Sequence, residues 1–423
     1  MFWKKIIFFV TLIFYASSSF LSAEPLPEEK RVVLEELVNE ALKNNPKIQA
    51  AYYNWEAAKE KIKQVSSLPD PMAGYTYFGE NIETKVGPQE AKYGLSQKIP
   101  FPGKLGLKGK SQGKHAEMLK EKYEAAKREV IKSVKSVYYD IFWVDKASQI
   151  TEEEKGILES LEEVARRKYE SNLVSQQDVI KVQVELSRLI NKLFLLRQNR
   201  KSLVAKMNSI LNRPKGAELG RVGSVKSLEF GYNLDELHKI AQSSSQELLA
   251  ASLDIERAEY EKSLARLDYF PDFTLGFEYI QVGSGHTIMP NDGQDAWMGM
   301  VSINIPIWRD RLKAQRKEKK AKLETSKKSY QNVENSIAYE VEDLYFKIST
   351  YKDIISLYKT ALVPQAEQNF EAAKTAYETG RVDFLNWLDA ERMLLQIRLA
   401  YYKAITEYQK SIAYLERVVG QDL

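Results

Sequence analysis

The sequence predicts a mixed α and β membrane protein made by internal duplication, in which β-hairpins alternate with very long helices and several copies must close one barrel. Three observations lead there. The stretch YESNLVSQQD from Tyr169 is echoed by YETGRVDFLN from Tyr377. Each half of the chain carries two period-two segments rich in aromatics. Between these lie long helical runs nearly free of proline and glycine.

The N-terminus comes first. FWKK, then IIFFVTLIFY, then ASSSFLSA form a basic region, an apolar core and a small-residue exit, as in a cleaved secretory signal over residues 1–23. That core is too short for a bilayer span, which needs about 20 residues. No cysteine follows to carry a lipid anchor, and no later segment is apolar enough for a membrane helix.

The remainder divides into a first repeat, 24–213, a linker, 214–232, and a second repeat, 233–423. Leu34 in LEELVNEAL aligns with Leu234 in LDELHKIAQ; Pro69 in PDPMAGYTY aligns with Pro271 in PDFTLGFEY; Leu95 in LSQKIPF aligns with Val301 in VSINIPI. The offset drifts slowly, and its largest step falls between Tyr77 and Leu95, where a loop can absorb it. Chance similarity would not keep this order, which marks a duplication.

Each repeat opens with an amphipathic helix, roughly 31–67 and 233–268. A hairpin follows, about 72–99 and about 273–305. In the second, Phe273, Leu275, Phe277 and Tyr279 alternate with Thr274, Gly276 and Glu278; Trp297, Val301, Ile303 and Ile305 oppose Met298, Met300, Ser302 and Asn304. The first repeats the habit with Tyr75, Tyr77, Tyr93, Leu95 and Ile99. Such alternation suits strands with one face to lipid, although a half-buried soluble hairpin shows the same period.

Long helices come next. From Lys104 to Asn172 no proline occurs, which allows roughly 100 Å of helix. The run from Arg309 to Thr379 is broken only by Pro364, where a kink or break is expected. Helices of that length must pack side by side as coiled coils or a helical barrel. Each run ends at a tip, near 172–175 and near 380–383. There a residue tolerant of left-handed backbone (Asn172, Gly380) precedes a capping side chain (Ser175, Asp383). Ser175 and Asp178 also have capping-box spacing.

Four strands cannot close a membrane barrel, since the smallest have about eight, and an open edge in lipid leaves backbone groups unpaired. If these strands lie in a membrane, the chain must therefore share its barrel with other copies.

Together the duplicated halves, the SQKIPFPGK exit from the first hairpin and the YETGRVDFLNWLDA turn resemble the TolC family of outer-membrane efflux channels, across about residues 31 to 420. The IPFPGK wording looks most like the heavy-metal CzcC- and CusC-like branch. The resemblance implies a homotrimer whose twelve strands close one outer-membrane β-barrel, continued by a periplasmic α-helical barrel in a Gram-negative-type envelope. It also implies a periplasmic adaptor (membrane fusion) protein and an inner-membrane pump as partners, with the two tips pointing at the adaptor. The gate of the family carries over to Asn386 and Asp389. Three copies of Asp389 would form a carboxylate ring that favours cations, whereas Asn386 departs from the family's acidic pattern. Asp389 has a plainer reading as a solvated residue paired with Arg392. Asn172, Leu173, Val174, Gly380, Arg381 and Val382 are the expected adaptor contacts, although Leu and Val there also suit a staple between helices.

Basic clusters follow both hairpins, PGKLGLKGKSQGK from Pro102 and RDRLKAQRKEKKAK from Arg309. They suit interfacial anchoring, a positive lumen, or an ordinary solvated face. Met72, Met289, Met298 and Met300 read as barrel packing rather than soft-metal ligands.

Composition closes off other classes. Among 423 residues the net charge is only +4, giving no reason to expect nucleic acid. With no cysteine and three scattered histidines (His115, His238, His286), no metal site or cofactor is expected. No nucleophile–base set or phosphate loop appears, so the chain reads as a non-enzyme. The alternative to a duct is an exported coiled-coil spacer of the envelope. It would have no use for lipid-facing aromatics in all four strands.

Overall fold

A computed structural model describes residues 32–223, 225, 230–285 and 288–423. The expected signal segment and His286 lie outside the described residues. The first repeat contains α1 (Leu34–Asn44), α2 (Pro46–Ser66), β1 (Met72–Thr84), β2 (Gly87–Ile99), α3 (Lys104–Glu170) and α4 (Gln176–Leu211). The second repeats that order as α5 (Leu234–Ser244), α6 (Gln246–Leu267), β3 (Phe273–Val282), β4 (Ala296–Ile303), α7 (Arg309–Leu357), α8 (Val363–Glu378) and α9 (Phe384–Val419).

The opening helix of each repeat is not continuous, as the sequence suggested, but broken once. Pro46 has no N–H to offer a helical bond, so it starts α2, and the Asn45 side chain accepts from the Lys47 amide at 2.9 Å. The second repeat breaks at the matching Ser245 without a proline.

The long runs differ in one detail. α3 is a single helix of 67 residues. Its counterpart is made of 49, 5 and 16 residues, because a π-helical turn, Tyr358–Leu362, separates α7 from α8. Pro364 lies in the first turn of α8, where its missing N–H costs little. The helix is thus re-phased before the proline rather than broken at it.

The cores of the two repeats correspond position by position. Leu37, Ala41 and Ile48 pack with Val134, Ile141, Met207 and Leu211. Leu237, Ala241 and Leu248 pack with Val341, Ile348, Leu415 and Val419 in the same way. A third core joins α3, α4, α8 and α9 near the tips through Leu158, Leu161, Val182, Phe370, Tyr377 and Trp387.

All four strands form one antiparallel sheet in the order β1-β2-β3-β4, so β2 and β3 join the repeats. Tyr75, Tyr93, Tyr279 and Trp297 are consecutive cross-strand partners and draw one aromatic row across it. Leu95, Leu275, Phe277, Val301 and Ile303 share that face and are exposed. The opposite face carries Lys92, Gly94, Ser96, Thr274, Gly276 and Ser302, with a Lys92–Glu278 ion pair at 2.7 Å. A soluble hairpin buries its apolar face; this sheet leaves that face bare, the inversion expected in lipid.

Below the sheet, Asp272 fastens the repeats together. It accepts from the Phe101 amide at 3.0 Å and from Lys104 Nζ at 2.8 Å, and Lys104 also donates to the Phe270 carbonyl at 3.1 Å.

Candidate functional site: the helical tips and the helices above them

Both tips close with the same hydrogen-bond motif. After α3, Leu173 N–H donates to the Lys168 carbonyl at 2.8 Å and Asn172 N–H to the Tyr169 carbonyl at 2.9 Å. After α8, Arg381 N–H donates to the Ala376 carbonyl at 2.8 Å and Gly380 N–H to the Tyr377 carbonyl at 3.1 Å. This paired pattern ends a helix through one residue in the left-handed region. Here those residues are Asn172, with φ 58°, and Gly380, with φ 71°.

The caps that follow are unequal. Asp383 accepts from the Asn386 amide at 3.1 Å and so ties down the first turn of α9. Ser175 has cap backbone geometry, but its side chain makes no capping bond. The expected capping box with Asp178 is therefore not formed; the Asp178 amide donates instead to the Ser175 carbonyl at 3.1 Å.

Of the expected contact residues, Leu173 is 72% exposed, and Asn172, Gly380 and Arg381 are exposed as well. Val174 and Val382 are half-buried, and Val382 packs on the tip core, in keeping with a staple. The two tips are braced across the repeats. Lys168 Nζ donates to the Tyr377 carbonyl at 2.8 Å and sits 4.2 Å from the centre of the Tyr377 ring. Tyr377 in turn packs against Phe384 and Trp387.

Asn386 and Asp389 lie on the exposed side of α9, one turn apart. The Asp389 side chain is 70% exposed and pairs with Arg392 at 3.3 Å. Arg392 also bonds Glu185 of α4, which accepts from Arg188 at 2.6 Å. An open groove runs between α4 and α9 here, lined by Ile180, Val184, Glu185, Arg188, Leu385 and Leu388.

One pair escaped the reading of the sequence. Glu154 of α3 and Glu391 of α9 are buried in the helices above the tips. A signal was present, because each interrupts an apolar stripe: Ile150, Glu154, Leu158, Leu161 on α3, and Trp387, Leu388, Glu391, Leu394, Leu395 on α9. Among the described residues no cluster of three or more carboxylate or histidine groups is set to hold a metal, and no helix is long and apolar enough to cross a membrane.

A bare apolar sheet with open edges at one end and paired helical hairpins at the other define a class, the outer-membrane channel proteins. The family described as outer membrane efflux protein matches residues 37–213 and 237–421, and the chain belongs to it. It is a TolC-like efflux channel protein of the outer membrane, with its helical part in the periplasm. The outer membrane protein TolC of Vibrio cholerae is 20% identical over 402 residues, covering 92% of this chain and 90% of that one. The cobalt-zinc-cadmium resistance protein CzcC of Cupriavidus metallidurans is 33% identical, but over only 63 residues, 15% of either chain. Among solved structures, VceC of Vibrio cholerae superposes with a TM-score of 0.78 at 17% identity, covering 92% of this chain and 96% of its own. CusC gives 0.75 at 16% identity, covering 92% of each.

Proposed function

We propose that this protein is the passive exit duct of a tripartite efflux or type I secretion system, a homotrimer carrying small molecules or ions from an inner-membrane pump to the outside. The observation that carries this reading is the sheet. Its apolar face is bare and both of its edge strands, β1 and β4, are unpaired in the single chain. Backbone groups at such edges need partners in lipid, and symmetric copies supply them. Three chains bring the strands to twelve, the number expected from the family resemblance.

The energy source lies in the pump, since a duct needs a gate rather than a catalyst. Asp389 is the gate residue in this reading, with Asn386 one turn before it. The exposed pairing of Asp389 with Arg392 is of a kind worth about 0–1 kcal/mol, so it leaves the carboxylate available to passing cations. Three such carboxylates in a narrow lumen favour cations over anions. The exposed tip residues Asn172, Leu173, Gly380 and Arg381, with Val174 and Val382 beneath them, form the adaptor-docking end.

Single-channel recording in planar bilayers tests both parts, wild type against Asp389→Ala. Discrete long-lived currents are expected, with weaker cation preference in the variant. A wild-type protein that never inserts and sediments as a soluble rod would overturn the duct; unchanged selectivity in the variant would remove Asp389 from the gate.

A further inference from the structure

We propose that Glu154 and Glu391 form a proton-binding site that clamps α3 to α9 above the tips and loosens as the pH rises. Glu154 is 0% exposed and Glu391 2% exposed. Their surroundings include Ile150, Leu158, Leu388, Leu394 and Leu395. The two carboxyls lie near enough for each to perturb the other's titration. Neither Glu154 oxygen, nor Oε1 of Glu391, has a hydrogen-bond partner among the described residues.

The charges around the pair do not supply two compensating cations. On α9, Arg398 reaches Glu154 only at 4.0 Å and is engaged by Glu367 of α8 at 2.9 Å and by Glu153 of α3 at 3.9 Å. Arg392, also on α9, is held by Glu185 and Asp389. Glu185 of α4 adds a further negative charge near Glu391 and carries Arg188 as well. Lys192 of α4 is the remaining cation; it is partly buried, and burial pushes its own pKa down. Two adjacent carboxylates in this interior would be strongly unfavourable, so one of them keeps its proton.

Burial, reinforced by the neighbouring Glu154, pushes Glu391 up to about 9, and burial likewise raises Glu154. A carboxyl freed by separation of the helices titrates near 4.5, its ordinary value. The raised group therefore favours the packed state fully below about pH 4.5 and progressively less as the pH climbs toward about 9. Within that window the packed-to-loosened ratio falls by up to tenfold per pH unit for one proton.

Infrared spectroscopy and hydrogen exchange on the assembled full-length protein in detergent test the site. Wild type should show a protonated-carboxyl C=O band at pH 7. The band should shift in Glu391→Gln and vanish in the Glu154→Gln/Glu391→Gln double variant, whose side chains keep their shape and can still hydrogen-bond. Protection of amides 150–161 and 387–395, corrected for intrinsic exchange, should fall at least about tenfold between pH 6 and pH 9 in wild type. It should stay flat in the double variant. Glu163→Gln, an exposed control on α3, should behave as wild type. No protonated band at pH 7, or a parallel fall in wild type and double variant, would overturn the proposal. Should the double variant fail to assemble, the wild-type band and its shift in Glu391→Gln decide the matter.

Discussion

At the tips, single residues carry different loads in the two repeats. Gly380 sits at φ 71°, where any side chain with a Cβ meets the following carbonyl. Gly380→Ala should cost about 1–2 kcal/mol of local stability, and Asn172→Gly should be harmless. Asp383→Ala removes a capping bond and should cost about 1 kcal/mol; Ser175→Ala removes none and should cost almost nothing. Hydrogen exchange in the first turns of α4 and α9 reads all four variants, and equal losses at Ser175 and Asp383 would contradict the difference between the caps. The left-handed residues were legible because Asn and Gly are the types that tolerate that backbone. The empty cap was not, since spacing places a hydroxyl near an amide without aiming it there. Glu154 and Glu391 went unread for another reason. Charge marks them as surface residues, and only the register of the apolar stripe contradicts that.

Among the elements, the long helices and the alternating strands were the most legible, because both are written as unbroken periodicities. Breaks were harder. Pro46 starts a helix as readily as it stops one, and the matching break at Ser245 carries no proline at all. The π-helical turn before Pro364 has no marker in the local sequence. Contacts between elements distant in sequence were also beyond reading. The clearest is Asp272, which joins the two hairpin exits through Lys104 and Phe101. Lys104 is almost fully buried, so Asp272→Ala leaves an ammonium without its closest partner. A loss of about 3 kcal/mol is expected, seen as an earlier unfolding transition. The Asp272→Leu/Lys104→Met pair should recover much of it. A double variant no more stable than Asp272→Ala would show that the charges are not the source.

At the scale of the whole molecule, the chain is left open at both borders. In the sheet, β1 and β4 are edges. In the helical part, α4 carries exposed Ile180, Val184, Phe194 and Leu195, and α7 carries exposed Tyr339 and Phe346. Apolar surface at both borders fits a ring in which the α4 border of one copy meets the α7 border of the next. Replacing Phe194 and Phe346 together by Asp should shift the purified protein from its assembled form to single chains in analytical ultracentrifugation. An unchanged sedimentation coefficient would place the contact elsewhere. The expectation of several copies rests on strand number alone. Which surfaces meet could not be read, because the pattern of one chain marks apolar positions without saying which of them its own helices already cover.

The two hairpin ends differ in a way that reaches beyond folding. Lys85 and Val86 alone separate β1 from β2, and strand pairing runs up to Gly87 opposite Thr84. Residues 283–295 separate β3 from β4, and Ile288 there is fully exposed. Strand register leaves no slack at the first turn and some at the second. A short epitope inserted beside Ile288 should therefore be displayed on intact cells and stained by an antibody that cannot enter them, whereas the same insertion at Val86 should abolish surface staining. If that insertion is stained, the longer connection is the address at which this protein can be recognised from outside.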